Sequence, residues 1–104
     1  MIAAHMGLRI RADSSRLAEF CRRHGIRRLA FFGSVLRDDF RPDSDVDVLV
    51  EFEPGKVPGY AFFDIQDELS KLLGRRADMH APDALNDYIR DRVLREAQEV
   101  YDAA

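Results

Sequence analysis

The segment that most constrains this fold is residues 45–51, which read Asp-Val-Asp-Val-Leu-Val-Glu. A run so rich in β-branched residues is typical of a strand. Because successive side chains of a strand point to opposite faces, Val46, Val48 and Val50 are predicted to face the core, and Asp45 and Asp47 to share the other face. The chain is therefore expected to contain a strand with one apolar face and one acidic face.

Helical and strand patterns alternate along the rest of the chain. Asp13, Ser14 and Ser15 are N-cap candidates, and Gly25 and Gly74 are candidate helix stops. The patterns predict helices over residues 14–24 and 61–73 and one or two helical turns over 35–39. They predict strands over residues 28–32, 45–51 and 75–80. A helix start is predicted at Pro82 and Asp83, and a last helical stripe from Leu85 to Val100 with a break near Asn86. That order indicates an α/β (α+β) fold, a small mixed β-sheet flanked by helices, in a single domain over residues 1–104.

Composition excludes several classes of protein. The formal net charge of −3 over 104 residues argues against general binding to DNA or RNA. No apolar run approaches the ~20 residues of a membrane span, and the N-terminus does not resemble a signal peptide. One cysteine, Cys21, excludes an internal disulfide framework, and its place on the apolar face of the first helix predicts a core residue. We therefore expect a cytoplasmic protein with no membrane association and no direct nucleic-acid binding.

Asp45 and Asp47 are a candidate metal site. Two neighbouring carboxylates repel each other and raise each other's pKa, and a divalent cation such as Mg²⁺ removes that penalty. Mg²⁺ is often held by one or two carboxylates together with substrate phosphates, so the pair indicates phosphate chemistry. The chain contains 13 Asp residues, so a solvated strand edge is the alternative for the pair taken alone.

Gly33 and Ser34 strengthen the functional interpretation. They follow a predicted strand and open a predicted helix, where Gly permits close approach of the backbone to a ligand and unpaired helix amides attract an anion. Ten residues separate Ser34 from Asp45. A Gly-Ser pair is also common in ordinary turns, so only the combination at this spacing indicates phosphate binding beside a metal.

Asp78 would complete a set of three carboxylates if its predicted strand lies beside residues 45–51. Three carboxylates and two metal ions suit in-line displacement at phosphorus, with Asp78 binding the nucleophile-side metal or accepting the nucleophile's proton. The alternative is an exposed aspartate at a strand end. His80, two residues later on the same face, could contact nucleotide or acceptor, or be a solvated strand end.

Taken together, these stretches resemble the DNA polymerase β-type nucleotidyltransferase superfamily. Residues 31–85 are similar to its minimal members, the single-domain nucleotidyltransferases encoded beside HEPN-domain proteins as toxin–antitoxin pairs. The matching stretches are Phe32-Gly33-Ser34-Val35-Leu36-Arg37, residues 41–50, and Leu73-Gly74-Arg75-Arg76-Ala77-Asp78. Asp38, His80 and Ala81 depart from the usual pattern, and none of them removes a carboxylate.

The resemblance implies a role for each matching residue. Asp45, Asp47 and Asp78 would be the catalytic carboxylates and would bind two Mg²⁺ ions. The nucleotide would be bound by Gly33, Ser34, Arg37 and Ser44. The implied reaction transfers AMP from ATP to a tyrosine of a HEPN ribonuclease toxin, which silences the toxin.

Two other functions remain open. The chain could be an antitoxin that neutralises its toxin by contact alone, although such a binder has no need of three carboxylates. It could also modify a small molecule, as aminoglycoside nucleotidyltransferases do, but those enzymes carry an extra helical domain for which 104 residues leave little material. The length suggests instead that the acceptor surface comes from another chain.

Overall fold

The computed structural model describes residues 3–4, 12–36, 41 and 44–103. The elements in chain order are β1 (Ala3–Ala4), β2 (Ala12–Asp13), α1 (Ser14–Arg23), β3 (Ile26–Phe32), a 3₁₀ turn (Gly33–Leu36), β4 (Val46–Phe52), α2 (Ala61–Leu73), β5 (Ala77–His80), a second 3₁₀ turn (Pro82–Ala84), α3 (Asp87–Glu96) and β6 (Gln98–Asp102). β1 and β2 form a short antiparallel pair. None of the described helices is long and apolar enough to cross a membrane.

A four-stranded mixed sheet in the order β5-β4-β3-β6 organises the fold. β4 and β5 are parallel, whereas β3 is antiparallel to both β4 and β6. α1 and α2 cover one face of the sheet and form the main core, which contains Phe20, Phe31, Val48 and Leu69. α3 covers part of the opposite face, where Val93 packs with Ala30 and Leu49. The predicted small mixed sheet flanked by helices is confirmed.

The first helix begins at one of the predicted caps. The Asp13 carboxylate accepts hydrogen bonds from the backbone N–H groups of Ser15 and Arg16, at 2.9 and 3.2 Å. Cys21 is fully buried in the core, as predicted, and burial raises the pKa of its thiol to about 12. Because the thiolate is the reactive form of cysteine, Cys21 contributes packing and not chemistry.

The second helix spans the residues that its apolar stripe predicts, and it ends at Gly74 in the left-handed conformation, with φ of 73°. Its polar side chains close one edge of the sheet. The Ser70 hydroxyl oxygen accepts from the backbone N–H of Ala77 at 2.8 Å, and Gln66 Oε1 accepts from that of Met79 at 2.9 Å. The edge strand β5 is thereby tied to α2 on the side away from β4.

The predicted helical stripe from Leu85 to Val100 is wrong at its C-terminal end. The break near Asn86 is confirmed, because the Asn86 side chain caps α3 by accepting from the backbone N–H of Ile89. After Glu96, however, the chain extends and β6 pairs with β3. This pairing satisfies backbone groups on β3 that an open edge would leave unpaired, and it buries part of Val100 against the main core.

Candidate functional site

The sheet brings Asp47 and Asp78 together. They are register partners in the parallel pair β4 and β5, so their side chains project from the same face of adjacent strands. This face is opposite the main core, because Val46 and Val48, on either side of Asp47, are fully buried in that core. The alternation of apolar and acidic residues in β4 therefore places Asp47 on the face that the sequence predicts, and the parallel pairing places Asp78 beside it.

His80 completes a compact group with the two carboxylates. Its Nε2 atom lies 3.3 Å from Asp78 Oδ2 and 3.6 Å from Asp47 Oδ1. One ligand atom from each of the three side chains lies within 4.8 Å of the others, close enough for all three to hold one metal ion. The sequence signal for His80 was its position two residues after Asp78, and of its two interpretations the structure favours a place in the site over a solvated strand end.

The electrostatics of Asp47 reflect this crowding. Partial burial raises the pKa of its carboxyl group above the ordinary value, and the negative charges of Asp78 and Asp45 raise it further, while the neighbouring His80 acts in the opposite direction. An ionised Asp47 is thus held at a free-energy cost, which a bound cation would remove.

Gly33 lies against the Asp47 carboxylate. Phe32 is the register partner of Asp47 across β3 and β4, and the chain turns at Gly33 with φ of 80°. A Cβ atom added there would lie 2.5 Å from Asp47 Oδ2. Both the backbone angle and the close approach require glycine, and Ser34 follows within the same 3₁₀ turn. Of the helix predicted over residues 35–39, the first two residues belong to this turn. Arg37 lies outside the described residues.

Asp45 and Ser44 lie just before β4. Asp45 is half exposed, is not part of the compact group of three, and has Arg76 Nε at 3.9 Å from its Oδ2. The Ser44 hydroxyl oxygen accepts from the backbone N–H of Arg41 at 3.0 Å, and the Arg75 guanidinium donates to the Arg41 carbonyl at 3.1 Å. Ser44 is therefore hydrogen-bonded to Arg41, three residues earlier in the chain.

A cavity of about 410 Å³ opens beside Gly33, between Phe32 and one side of α3. Its walls on the helix include Tyr88, Ile89 and Arg92. The volume is within the range of small-ligand pockets. Tyr88 and Ile89 are large side chains left exposed on α3. Their exposure follows from how α3 packs on the sheet, so the sequence did not predict this cavity.

Comparison with known proteins identifies the family. Residues 14–100 match the nucleotidyltransferase domain. This chain belongs to the nucleotidyltransferase domain family. The protein adenylyltransferase MntA of Thermococcus cleftensis is 39% identical to this nucleotidyltransferase over 75% of the chain and 78% of its own length.

Solved structures of the same fold agree with this assignment. A structure described as a minimal nucleotidyltransferase matches with a TM-score of 0.68 and 39% identity, covering 81% of this chain and 85% of that one. A toxin–antitoxin crystal structure with AMP-PNP matches with a TM-score of 0.70 over 88% of this chain and 74% of that one. At 14% identity the second match supports the fold alone.

Proposed function

We propose that this nucleotidyltransferase transfers AMP from ATP to a tyrosine of a HEPN-domain ribonuclease toxin and thereby acts as its antitoxin. The observation that carries the proposal is the pair Asp47 and Asp78 on adjacent strands, with Gly33 against one of them. A relative named as a protein adenylyltransferase supports adenylyl transfer to a protein. This relative shares the name MntA with a protein in a solved toxin–antitoxin structure, MntA–HepT, which supports a toxin as the partner.

The carboxylates fit the divalent cation that such a transfer requires. Asp47 and Asp78 offer the oxygen ligands that Mg²⁺ prefers. Burial, and after it the charges of Asp78 and Asp45, raise the pKa of Asp47, so a bound cation would favour its ionised form. We propose that Asp45, Asp47 and Asp78 hold two Mg²⁺ ions, with Asp45 turning from Arg76 to join them. When bound, the ions supply Lewis-acid stabilisation of the charge on the reacting and leaving phosphates.

The protein itself positions the two reactants. Gly33 and Ser34 bind the triphosphate at the end of β3, where the backbone of Gly33 lies against the Asp47 carboxylate. Arg37 binds the phosphates as well. The tyrosine oxygen attacks the α-phosphorus in line, a new O–P bond forms, and the bond to pyrophosphate breaks. Asp78, half exposed at the sheet surface, accepts the phenolic proton or orients the nucleophile. Ser44, which directly precedes Asp45, also binds the nucleotide.

The test is the intact mass of a HEPN-domain toxin, chosen from genes adjacent to the one for this chain, after incubation with the chain, ATP and Mg²⁺. We expect AMP-sized additions that disappear with Asp45→Asn and with Asp47→Asn. Asp67→Asn, a substitution of an exposed aspartate on α2, should leave the reaction unchanged. A toxin without its modified tyrosine, substituted by Phe, should gain no mass.

Neutralisation by contact alone predicts a different result. The two proteins would then form a stable complex with no change in mass, and the double variant Asp45→Asn, Asp47→Asn would still protect cells from the toxin. That outcome would replace the proposed enzymatic mechanism.

A further inference from the structure

The imidazole of His80 lies where a ligand of the cation would lie. We propose that His80 is a direct metal ligand and that the Asp47–Asp78–His80 group consequently prefers a transition-metal ion such as Mn²⁺ to Mg²⁺. This inference rests on the proposed metal-dependent transfer, and it concerns which ion the site selects.

The spacing of the three side chains matches metal coordination. Two donor atoms bound at ~2.1 Å are separated by ~3.0 Å at adjacent octahedral positions and by ~3.4 Å in a tetrahedral site. His80 Nε2 lies 3.3 Å from Asp78 Oδ2 and 3.6 Å from Asp47 Oδ1. Both nitrogen–oxygen distances lie within a few tenths of an ångström of the tetrahedral value, and all three ligand atoms lie within 4.8 Å of one another.

The imidazole is held in this orientation by its surroundings. The Phe32 ring meets it edge to face, with ring centroids 5.5 Å apart. The preceding residue, Met79, has its backbone N–H bound to Gln66 on α2, which fixes the strand beneath. The His80 side chain is 29% exposed, so about a third of its surface at most is left to solvent. Preorganised ligands lose little conformational entropy when the ion binds.

The chemistry of the donors determines the preference. Mg²⁺ binds oxygen ligands almost exclusively, and it gains little from a neutral imidazole. Transition-metal ions accept imidazole nitrogen together with carboxylate oxygen. Asp47 and Asp78 alone would accept either kind of ion. His80 is therefore the residue that makes the site bind a transition-metal ion more tightly than Mg²⁺.

The test measures the metal–nitrogen bond directly. Mn²⁺ is added to the nucleotide-free chain, and electron spin-echo envelope modulation detects nitrogen bound to the ion. We expect a nitrogen coupling in the wild type that disappears in His80→Leu. His24→Leu is the matched control, because His24 also lies beside a carboxylate, Glu68 at 3.0 Å, and an aromatic ring, Phe20, at 4.9 Å. That variant should retain the coupling.

Calorimetric titrations give the selectivity. We expect Mn²⁺ to bind the wild type at least about tenfold more tightly than Mg²⁺ does. His80→Leu should weaken Mn²⁺ binding about tenfold and change Mg²⁺ binding little. Failure of the wild type to bind Mn²⁺, absence of the nitrogen coupling, or its persistence in His80→Leu would each overturn the proposal. If His80→Leu does not fold, His80→Asn replaces it, and the wild-type spectrum alone can still refute the bond.

This experiment is independent of the toxin assay. AMP transfer with Mg²⁺ but no Mn²⁺–nitrogen coupling would refute the role of His80 and leave the proposed function standing. A nitrogen coupling without AMP transfer would refute the proposed function and leave His80 as a metal ligand.

Discussion

At the scale of single residues, Gly33 carries two constraints that substitution can separate. Its φ of 80° disfavours any other residue, and an added Cβ would lie 2.5 Å from Asp47 Oδ2. Gly55 has the same φ of 80° but nothing within 4 Å of an added Cβ. Gly33→Ala and Gly55→Ala therefore share the backbone strain, and only Gly33→Ala disturbs the carboxylate.

We expect both alanine variants to lose about 1–2 kcal/mol of unfolding free energy, since that is the cost of a left-handed backbone for a non-glycine residue. Because the Asp47 carboxylate can rotate away from the new methyl group, the additional effect of Gly33→Ala appears in activity. A misplacement of a catalytic group by about 1 Å costs about 100-fold in rate, and we expect a loss of that order for Gly33→Ala. Denaturant melts and the toxin-modification rate measure the two effects, and equal activity in both variants would show that the Asp47 contact is irrelevant to catalysis.

The residue scale also shows what spacing could and could not predict. Asp45 and Asp47 were predicted from one strand pattern, because one face of residues 45–51 had to be buried and the acidic face could only point away from the core. Asp47 lies in β4 as predicted, whereas Asp45 precedes the strand. Asp78 and His80 were less accessible to that reasoning, because the strand that lies next to β4 is set by tertiary pairing.

At the scale of elements, the edge of the sheet is closed by helix side chains. β5 has β4 on one side only, and Gln66 and Ser70 of α2 accept hydrogen bonds from backbone N–H groups on this strand. Gln66→Ala removes the acceptor for Met79 N–H, which lies between Asp78 and His80. We expect a loss of about 1–2 kcal/mol of unfolding free energy, as for an unsatisfied donor that is partly buried.

The same variant should reduce activity, because β5 carries two of the three residues of the Asp47–Asp78–His80 group. Asp67→Ala, on the exposed side of α2, controls for the loss of a polar side chain, and its unfolding free energy should change by less than about 0.5 kcal/mol. Urea melts of both variants, together with rates of AMP transfer, test the expectation. If Gln66→Ala unfolds at the wild-type urea concentration, the β5 edge does not depend on this bond.

Elements also mark the limit of sequence periodicity. The stripe through α2 predicted a helix with its observed ends, because one apolar face and a terminal glycine were both present. The same kind of stripe failed after α3, where Ala97 and Val100 fit a helix as well as a strand. The open edge of β3 decided between the two, and the Arg28 guanidinium donates to Glu99 Oε2 at 2.6 Å across the resulting strand pair. Neither fact can be derived from the last residues alone.

At the scale of the whole molecule, the candidate site costs stability. The pKa of Asp47 is raised, first by burial and then by the charges of Asp78 and Asp45, so ionisation of this carboxyl group destabilises the folded state. The penalty is fully present above the raised pKa of the folded state. It disappears as the pH falls through that pKa to the ordinary carboxyl value of about 4.

Asp47→Asn should therefore raise the Tm at pH 7 in the absence of divalent cations, although it removes activity. The increase should shrink as the pH falls towards the ordinary carboxyl value of about 4, because the raised pKa favours the protonated carboxyl group in the folded state. Asp67→Asn controls for removing one negative charge from a chain of net charge −3, and it should leave the Tm nearly unchanged. Adding Mn²⁺ or Mg²⁺ should reverse the order, because a ligand that binds only the folded state raises the Tm of the wild type and not of Asp47→Asn. A lower Tm for Asp47→Asn at pH 7 without cations would mean that the contact with His80 stabilises Asp47 more than burial penalises it.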